Sequence, residues 1–320
     1  MLTGTDLELT IQTPLMWEGD PIVLPFARLS AILATANADE VTLTPDGDSV
    51  TIQAGGGTWR LPTEDANEYP PRSSLASEAT SIARMPCSQL RSLLAAVKFA
   101  TDNESSRYAL GAVCVEFKDG ELSFVGTDGR RMAVASCEID QSLDDSTTLI
   151  PRRVVDVLYR LAVGEEAIQL ERTATEVIAT IGDTVVSARQ VEGRYPRWRD
   201  VEPTRDHVKP SLVQVGPLLH ACEMAAICTS EDSKGTSWNF TPQGVFITAR
   251  SSQFGESSAT CDVVEAGTST VVNIDPRFAL EWLRTLDAAE TVEVEAENAE
   301  SAIVFRAGDL RNVVMPLAKD

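Results

Sequence analysis

One landmark returns three times along this chain: a short apolar run, a proline, then an amphipathic stretch of helical period. It reads IVLPFARLSAILATA at 22–36, TLIPRRVVDVLYRLA at 148–162 and VVNIDPRFALEWLRTL at 271–286. The prolines are Pro25, Pro151 and Pro276, so the spacings are 126 and 125 residues. Self-similarity at a fixed period constrains a fold more than any local motif, because each repeat must be one structural unit. After each helix come strand-like segments: VTLTPDGDSVTIQA then GTWRLPT, AIQLERTATEVIATI then TVVSARQ, and TVEVEAENAESAIVF then LRNVVMPL. Turn signals such as Asp46-Gly47 separate them.

A second landmark precedes these. KDGELSFVGTDGRRMAVAS at 118–136 matches TPQGVFITARSSQFGESSAT at 241–260, with Gly120 against Gly244. LTGTDLELTIQT at 2–13 matches the later part of the same unit. Repeats two and three carry a further helix before it, CSQLRSLLAAVKFA at 87–100 and GPLLHACEMAAIC at 216–228. Repeat one lacks that helix and its flanking strands. The expected plan is three units of about 120 residues, each a doubled helix-plus-strands half-unit. That is an α+β fold with helices on one side of antiparallel sheets.

The helix faces follow from the 3.6-residue period. Leu29, Ile32, Leu33 and Ala36 are expected to face inward in the first helix, with Arg28 outward. Leu90, Leu93, Leu94 and Val97 are expected inside in 87–100, with Arg91 and Lys98 exposed. Val154, Val157, Leu158 and Leu161 form the stripe in 151–162, opposite Arg152, Asp156, Tyr159 and Arg160. Ala279, Leu280, Leu283 and Leu286 form it in 276–286, opposite Arg277, Glu281 and Arg284.

Those basic outer faces are notable because 27 Lys and Arg stand against 48 Asp and Glu, a net charge of −21. A uniformly acidic surface repels nucleic acid, so charge alone argues against simple DNA binding. Several repeats sharing an Arg/Lys bias point instead to one common basic surface. With 43% hydrophobic and 23% charged residues the chain is too apolar for a disordered one. No run approaches a membrane span, and MLTGTDLELT has neither the basic nor the apolar region of a signal peptide.

Motifs of enzyme chemistry are missing: no P-loop, no dinucleotide fingerprint, no HExxH, no GxSxG. The two histidines, His207 and His220, have no partner at ligand spacing. AGGGTW at 54–59 is expected to be a hairpin turn rather than a phosphate cradle, since no helix follows it. Cys87, Cys114, Cys137, Cys222, Cys228 and Cys261 form no zinc-like spacing and are expected to be buried thiols in a reducing cytosol. Nothing asks for a catalytic site, a metal or a cofactor.

Five segments carry a resemblance: LTGTDLE at 2–8, RYALGAVCVEF at 107–117, LSFVGTDGRRMAVAS at 122–136, EGRYPRW at 192–198 and NVVMPL at 312–317. In order, spacing and letters the chain resembles the bacterial DNA polymerase III beta subunits, the sliding clamps, over essentially its whole length. The resemblance implies three tandem clamp domains, 1–78, 79–203 and 204–320, with helices lining a ring and antiparallel sheets outside. Two chains would close head-to-tail. The implied function is a cytoplasmic processivity factor without catalysis of its own. It would encircle duplex DNA without sequence preference and tether the replicative polymerase alpha subunit, the clamp loader and repair polymerases through short peptide motifs. The alternative is a diverged clamp-like interaction module that keeps the peptide pocket but not the ring.

On this reading the DNA-facing residues are Arg28, Arg91, Lys98, Arg152, Arg153, Arg160, Arg277 and Arg284. A ring retains DNA by topology, so these need only attract phosphates weakly and read no bases. The helix at 216–228 offers only His220, so its share should be weak. Motif by motif, the resemblance places the peptide pocket at Leu110, Thr127, Gly129, Arg130, Arg131, Met132, Pro196, Val201, Val313, Met315, Pro316 and Leu317. An apolar groove with a few orienting polar groups suits a motif ending in Leu or Phe. The dimer seam would set Trp59 and Leu61 against the partner's third domain at Ile227 and Cys228.

The departures from the family also matter. Arg130 stands where the family often has His, Ala109 where it often has Tyr, and Asp200 where a basic residue is frequent. The ending is MPLAKD rather than MPMRL. The pocket is therefore expected to be shallower, with an altered motif preference. The family has about 45 further residues before LTGTDLE, a substantial part of one ordinary domain. The first domain is therefore expected to be incomplete. A start site set too late and a shortened paralogue both fit.

Overall fold

A computed structural model describes residues 1–70, 79–102, 109–139, 144–230 and 235–317. Residues 107 and 108 of RYALGAVCVEF and the final three of MPLAKD lie outside that set. The chain divides into two compact units, Met1–Ala79 with Asp183–Ala188, and Thr80–Gly182 with Arg189–Asp320. Both are α+β, with antiparallel pairing throughout the registers below.

The first unit opens with β1 (Leu2–Thr5) and β2 (Leu9–Thr13), paired from Leu2↔Thr13. The turn between them is shaped by Asp6, whose Oδ1 accepts from the amides of Glu8 (3.1 Å) and Leu9 (2.8 Å). Helix α1 (Phe26–Ala36) starts directly after Pro25 and ends on Asn37 in the left-handed region. Then come β3 (Thr42–Asp46), β4 (Ser49–Ala54) and β5 (Gly57–Pro62), a three-stranded meander. The AGGGTW segment is the β4–β5 turn: Gly55 and Gly56 both have positive φ, 55° and 80°, as a tight hairpin requires.

The core of this unit is small. Ile32, Val50 and Ile52 are buried, with Ile22, Leu24, Leu29, Leu43, Trp59 and Leu61 packed around them. Leu33, expected inside, is 47% exposed. Leu29 and Ile32 pack on the three-stranded sheet, and Ala36 lies against the β4–β5 turn at Gly55, so of the expected stripe it is Leu33 that is left exposed.

The second unit begins with β6 (Thr80–Pro86) and α2 (Cys87–Lys98). Next are β7 (Ala112–Lys118), β8 (Glu121–Thr127), β9 (Arg131–Glu138) and β10 (Ser146–Pro151). Helix α3 (Arg152–Leu161) leads to β11 (Ala167–Arg172), β12 (Glu176–Ile181) and β13 (Thr184–Arg189). Most of β13 belongs to the first unit, where it pairs with β2 from Val185↔Gln12. After a connector come β14 (Ser211–Gln214), α4 (Val215–Ala226), β15 (Thr236–Thr241), β16 (Gly244–Ser251), β17 (Gly255–Cys261) and β18 (Thr270–Ile274). The chain continues through α5 (Pro276–Leu283), β19 (Thr291–Glu295), β20 (Ile303–Ala307) and β21 (Leu310–Val314).

The repeat is therefore physical. Three strands follow each of α1, α3 and α5, as the threefold landmark implies. Proline marks the start of α1, α2, α3 and α5, where its fixed φ suits the helix entry and its missing amide would be unbonded anyway; α4 starts after Gln214 instead. Pro25, Pro86 and Pro151 are the capping residues of α1, α2 and α3, and Pro276 is the first residue of α5, capped by Asp275.

One eight-stranded sheet, β10-β7-β8-β9-β21-β20-β19-β14, runs through the second unit. A four-stranded sheet has the order β17-β16-β15-β18. The larger core gathers Trp238, Phe240, Trp282 and Phe305, with Trp238 edge-on to Phe305 at 5.9 Å. In α2 the expected Leu90, Leu93, Leu94 and Val97 are all buried. In α3 the stripe is rotated: Val154, Val155 and Leu158 are buried while Leu161 is 38% exposed and Val157 half-buried. Leu161 is the last residue of α3. In α5 Trp282 joins Ala279, Leu280 and Leu283 in the core.

Candidate functional site

The β8–β9 connection is built from TDGRR. Three residues, Asp128, Gly129 and Arg130, link the strands, and Gly129 takes φ 83°, the left-handed position such loops need. Asp128 Oδ1 accepts from the amides of Arg130 (2.9 Å) and Arg131 (3.0 Å). Thr127 Oγ1 donates to the Arg131 carbonyl at 2.6 Å and accepts from the Gly129 amide at 3.1 Å. Four hydrogen bonds thus hold the loop to its own backbone.

Gly126 lets β8 lie against α2. A Cβ there would sit 2.3 Å from the Val97 carbonyl oxygen. Beside the loop, β21 pairs with β9, placing Met132 opposite Val313 and Arg131 opposite Val314. Beyond β21 the Met315 amide donates to the Arg130 carbonyl at 2.9 Å, and the Leu317 amide donates to the Asn273 carbonyl at 2.8 Å.

A second element closes the other side. The connector holds Tyr195, Pro196, Trp198 and Val201. Tyr195 donates its hydroxyl to the Val125 carbonyl at 2.9 Å, and burial pushes its pKa well up. The Trp198 amide donates to Pro196 O (2.8 Å), and the Val201 amide donates to Trp198 O (3.1 Å). Trp198 is buried with Met132, Val313, Val125 and Ala109 in one cluster. Leu110, next to Ala109, accepts from the Asp102 amide at 3.0 Å.

Of the twelve expected pocket residues, Met132 and Val313 share a cluster with Trp198, Thr127 to Arg131 form the loop, Met315 is bonded to it, and Leu317 is tied to Asn273 instead. Gly129, Arg130, Val201 and Met315 are exposed, the last two at 51% and 45%. Leu110, Pro196, Pro316 and Leu317 are half-buried. Met132 and Val313 are core residues, 3% and 2% exposed. Thr127 is buried beneath the loop.

Arg131 departs most from the expected pocket lining. It is buried; its Nε donates to Asp128 Oδ2 at 3.0 Å, its Nη2 to the Phe99 carbonyl at 2.7 Å, and its Nη1 to Glu281. The guanidinium also lies over the rings of Phe99 (5.1 Å) and Phe278 (4.6 Å). A long planar cation with five donors can satisfy that many partners at once, which explains why it is drawn inward.

Sequence reasoning missed Trp198, Tyr195 and Asn273 as organisers. EGRYPRW held the signal for the first two; Asn273 acts through its backbone and left none. It also missed a polar cavity of about 380 Å³ beside Trp198, lined among others by Arg199, Glu202, Arg205, Glu295 and Arg306. Ion pairs cross-link it, including Arg205–Glu297 at 3.2 Å and Arg306–Glu202 at 3.5 Å. Burial raises the Glu295 carboxyl pKa, against the pull of Arg306 and Arg205.

The candidate DNA-facing cations are mostly paired. Arg91 and Lys98, expected to be exposed, are half-buried. Arg91 donates to the Tyr159 carbonyl, and both cations lie over the Tyr159 ring, at 3.9 and 4.4 Å. Lys98 Nζ meets Asp156 Oδ1 at 2.9 Å; Arg152 Nε meets Oδ2 at 3.4 Å and its Nη1 donates to Thr101 at 2.8 Å. The packing of α2 on α3 draws these long side chains into the interhelical groove. Arg153, Arg160 and Arg28 are exposed. Arg277 bonds Asp275 (Nε to Oδ1, 2.9 Å), and Arg284 pairs with Glu223 at 2.9 Å.

Of the expected seam residues, Trp59 and Leu61 are half-buried on the first unit's own core, while in the second unit Ile227 is 76% exposed and Cys228 half-buried. All six cysteines are thiols without disulfides. Among the described residues there is no cluster of His, Cys, Asp or Glu able to hold a metal, and no helix long and apolar enough to cross a membrane.

Residues 84–197 match the family described as DNA polymerase III beta subunit, central domain. The beta sliding clamp of Proteus mirabilis is 28% identical over 331 residues, covering 99% of this chain and 88% of that protein. The beta sliding clamp of Escherichia coli (strain K12) is 25% identical with the same coverage. In fold, the chain matches the DNA polymerase sliding clamp of Bacillus subtilis with a TM-score of 0.88 at 20% identity. It matches that of Pseudomonas aeruginosa with 0.87 at 23%. In both cases 99% of this chain and 88% of the other are covered.

Proposed function

We propose that this chain, whose homologues among the bacterial beta sliding clamps align with 99% of it, works as a sliding clamp. It encircles duplex DNA and tethers other proteins through the groove beside the TDGRR loop. The observation that carries the reading is joint: the sequence likeness spans nearly the whole chain, and the segments that share it meet at one place. The strands flanking TDGRR, EGRYPRW and NVVMPL are far apart in sequence, and Val125 and Met132 from the first, Tyr195 and Trp198 from the second and Val313 from the third share one cluster.

The tether is the groove rimmed by Gly129, Arg130, Val201 and Met315, with Leu110, Pro196, Pro316 and Leu317 along its sides. A hydrogen-bonded rim with an apolar floor suits a short peptide that ends in apolar side chains. The DNA-facing cations are Arg28 on α1 and, in the second unit, Arg91, Lys98, Arg152, Arg153, Arg160, Arg277 and Arg284. Their attraction is weak and sequence-blind, since retention comes from the closed ring. The ring is a head-to-tail homodimer of three-domain chains (1–78, 79–203, 204–320), sealed by Trp59 and Leu61 against Ile227 and Cys228. It has no catalytic step of its own and acts in the cytoplasm beside the polymerase.

The test is retention on closed circular DNA after loading, compared with the same DNA linearised. Salt-resistant retention on the circle, lost on cutting, is expected. Equal loss from both forms overturns the ring and leaves at most a peptide-binding module.

A further inference from the structure

We propose that the Asp156 carboxylate occupies a phosphate seat formed by Lys98 and Arg152, so that duplex DNA engages this surface by displacing Asp156. The proposal deepens the reading above and rests on α2 and α3 facing DNA.

The observations are geometric. Lys98 and Arg152 come from different helices and converge on one carboxylate, at 2.9 Å and 3.4 Å. Neither cation is loose. The Arg152 guanidinium is fixed by its bond to Thr101 (2.8 Å), and Lys98 is steadied over the Tyr159 ring at 4.4 Å. Arg91 adds a third cation over the same ring. Three cations against one carboxylate leave the cluster positive after Asp156 is counted.

Held cations lose little freedom when a ligand arrives, which removes part of the cost of binding. A phosphodiester presents anionic oxygens much as a carboxylate does, and Lys and Arg both serve phosphate. The seat is reachable: the side chains of Lys98, Asp156 and Arg152 keep 25%, 32% and 30% of their exposure. Rotation of Asp156 alone would open it. Burial works to raise the Asp156 pKa, and Lys98 and Arg152 outweigh that and hold it below its ordinary value. The internal anion is thus charged in the DNA-free protein at neutral pH. A ring that slides needs cations that do not grip, and an internal competitor supplies that.

The pair between Arg284 and Glu223 of α4 differs. The two are exposed at 56% and 42%, so water and salt already screen them. Asp156 is the half-buried case, where removing the competitor matters most.

The experiment is an anisotropy titration of a labelled mixed-sequence linear duplex with the full chain across a salt series. Asp156→Asn is expected to bind about 3–10-fold tighter at low salt. Its log–log salt slope should steepen by about 0.9, because no displaced carboxylate takes up a cation to offset the counterion that the phosphate releases. Asp156→Glu keeps the charge and should gain nothing. Equal affinity and slope for wild type and Asp156→Asn overturns the proposal while leaving the clamp reading intact. Wild type that neither binds duplex nor stays on circles overturns both. A measurement on wild type covers the case in which Asp156→Asn does not fold: carboxyl NMR of Asp156 with and without duplex. Displacement moves its pKa up towards the ordinary range, and an unchanged value with duplex bound refutes it.

Discussion

The Met315 amide donates to the Arg130 carbonyl across 2.9 Å, fastening the end of NVVMPL to the loop of TDGRR. Both side chains are exposed, and both belong to the proposed peptide site. Met315→Asp should weaken a clamp-motif peptide at least tenfold, because the acid must desolvate beside an apolar ligand. Its melting temperature should stay near wild type, since Met315 is 45% exposed. Fluorescence polarisation with a labelled peptide reads the first and calorimetry the second.

Arg131 predicts the opposite separation. Truncation to Ala removes its contacts to Asp128, Glu281 and Phe99 O and leaves the half-buried Asp128 without its cation. The cost should be about 3–5 kcal/mol, the usual penalty for breaking a buried ion pair from one side. Arg131→Lys should recover only part of it, since an ammonium cannot span three partners. Urea unfolding of the full chain measures both.

Gly126→Ala should destabilise the protein by about 1–3 kcal/mol, the range for forcing a methyl into packed structure. Its Cβ would stand 2.3 Å from the Val97 carbonyl oxygen, and backbone cannot step aside as a side chain can. A fall in the urea midpoint with an unchanged slope is expected.

How much of this the sequence showed can be argued from these residues. The threefold proline landmark was legible because a strand must end and a helix begin at each of Pro25, Pro151 and Pro276. The groove's segments were legible from the resemblance. What the letters did not carry was the role of each side chain. Arg131 and Arg130 are adjacent and alike in sequence, yet one is buried under three partners and the other exposed. Strand alternation separates them, but the partner that holds Arg131, Glu281, lies 150 residues away. Lys98 and Arg152 were read as open cations because a helical wheel does not see the neighbouring helix. Leu33 was read as core because the wheel does not see what each face packs on.

The thiols give a pH prediction. Burial pushes Cys114 and Cys222 up to about 12 and Cys261 up to about 11. Their folded values lie above the unfolded value of about 8.5. The stability they contribute is therefore whole below pH about 8.5 and is lost as pH rises through the folded values. A urea midpoint that falls from pH 8 to pH 10, and falls less in Cys222→Ala, is the expected result. At pH 8 an alkylating reagent should reach the half-buried Cys137 and Cys228 first, read by mass spectrometry of the intact chain.

The pairing of β9 with β21 has a consequence for how the molecule is made. Val134 sits opposite Arg311 in the middle of the eight-stranded sheet. While the chain is being synthesised, β9 emerges long before its partner exists. Until residue 314 has left the ribosome, β9 presents an open edge rich in Met, Ala and Val, the kind of edge that recruits other strands. So distant a pairing also makes for slow closure of the sheet. The nascent protein is thus most vulnerable to misassembly late in its synthesis, and a chaperone that shields strand edges would act on it then.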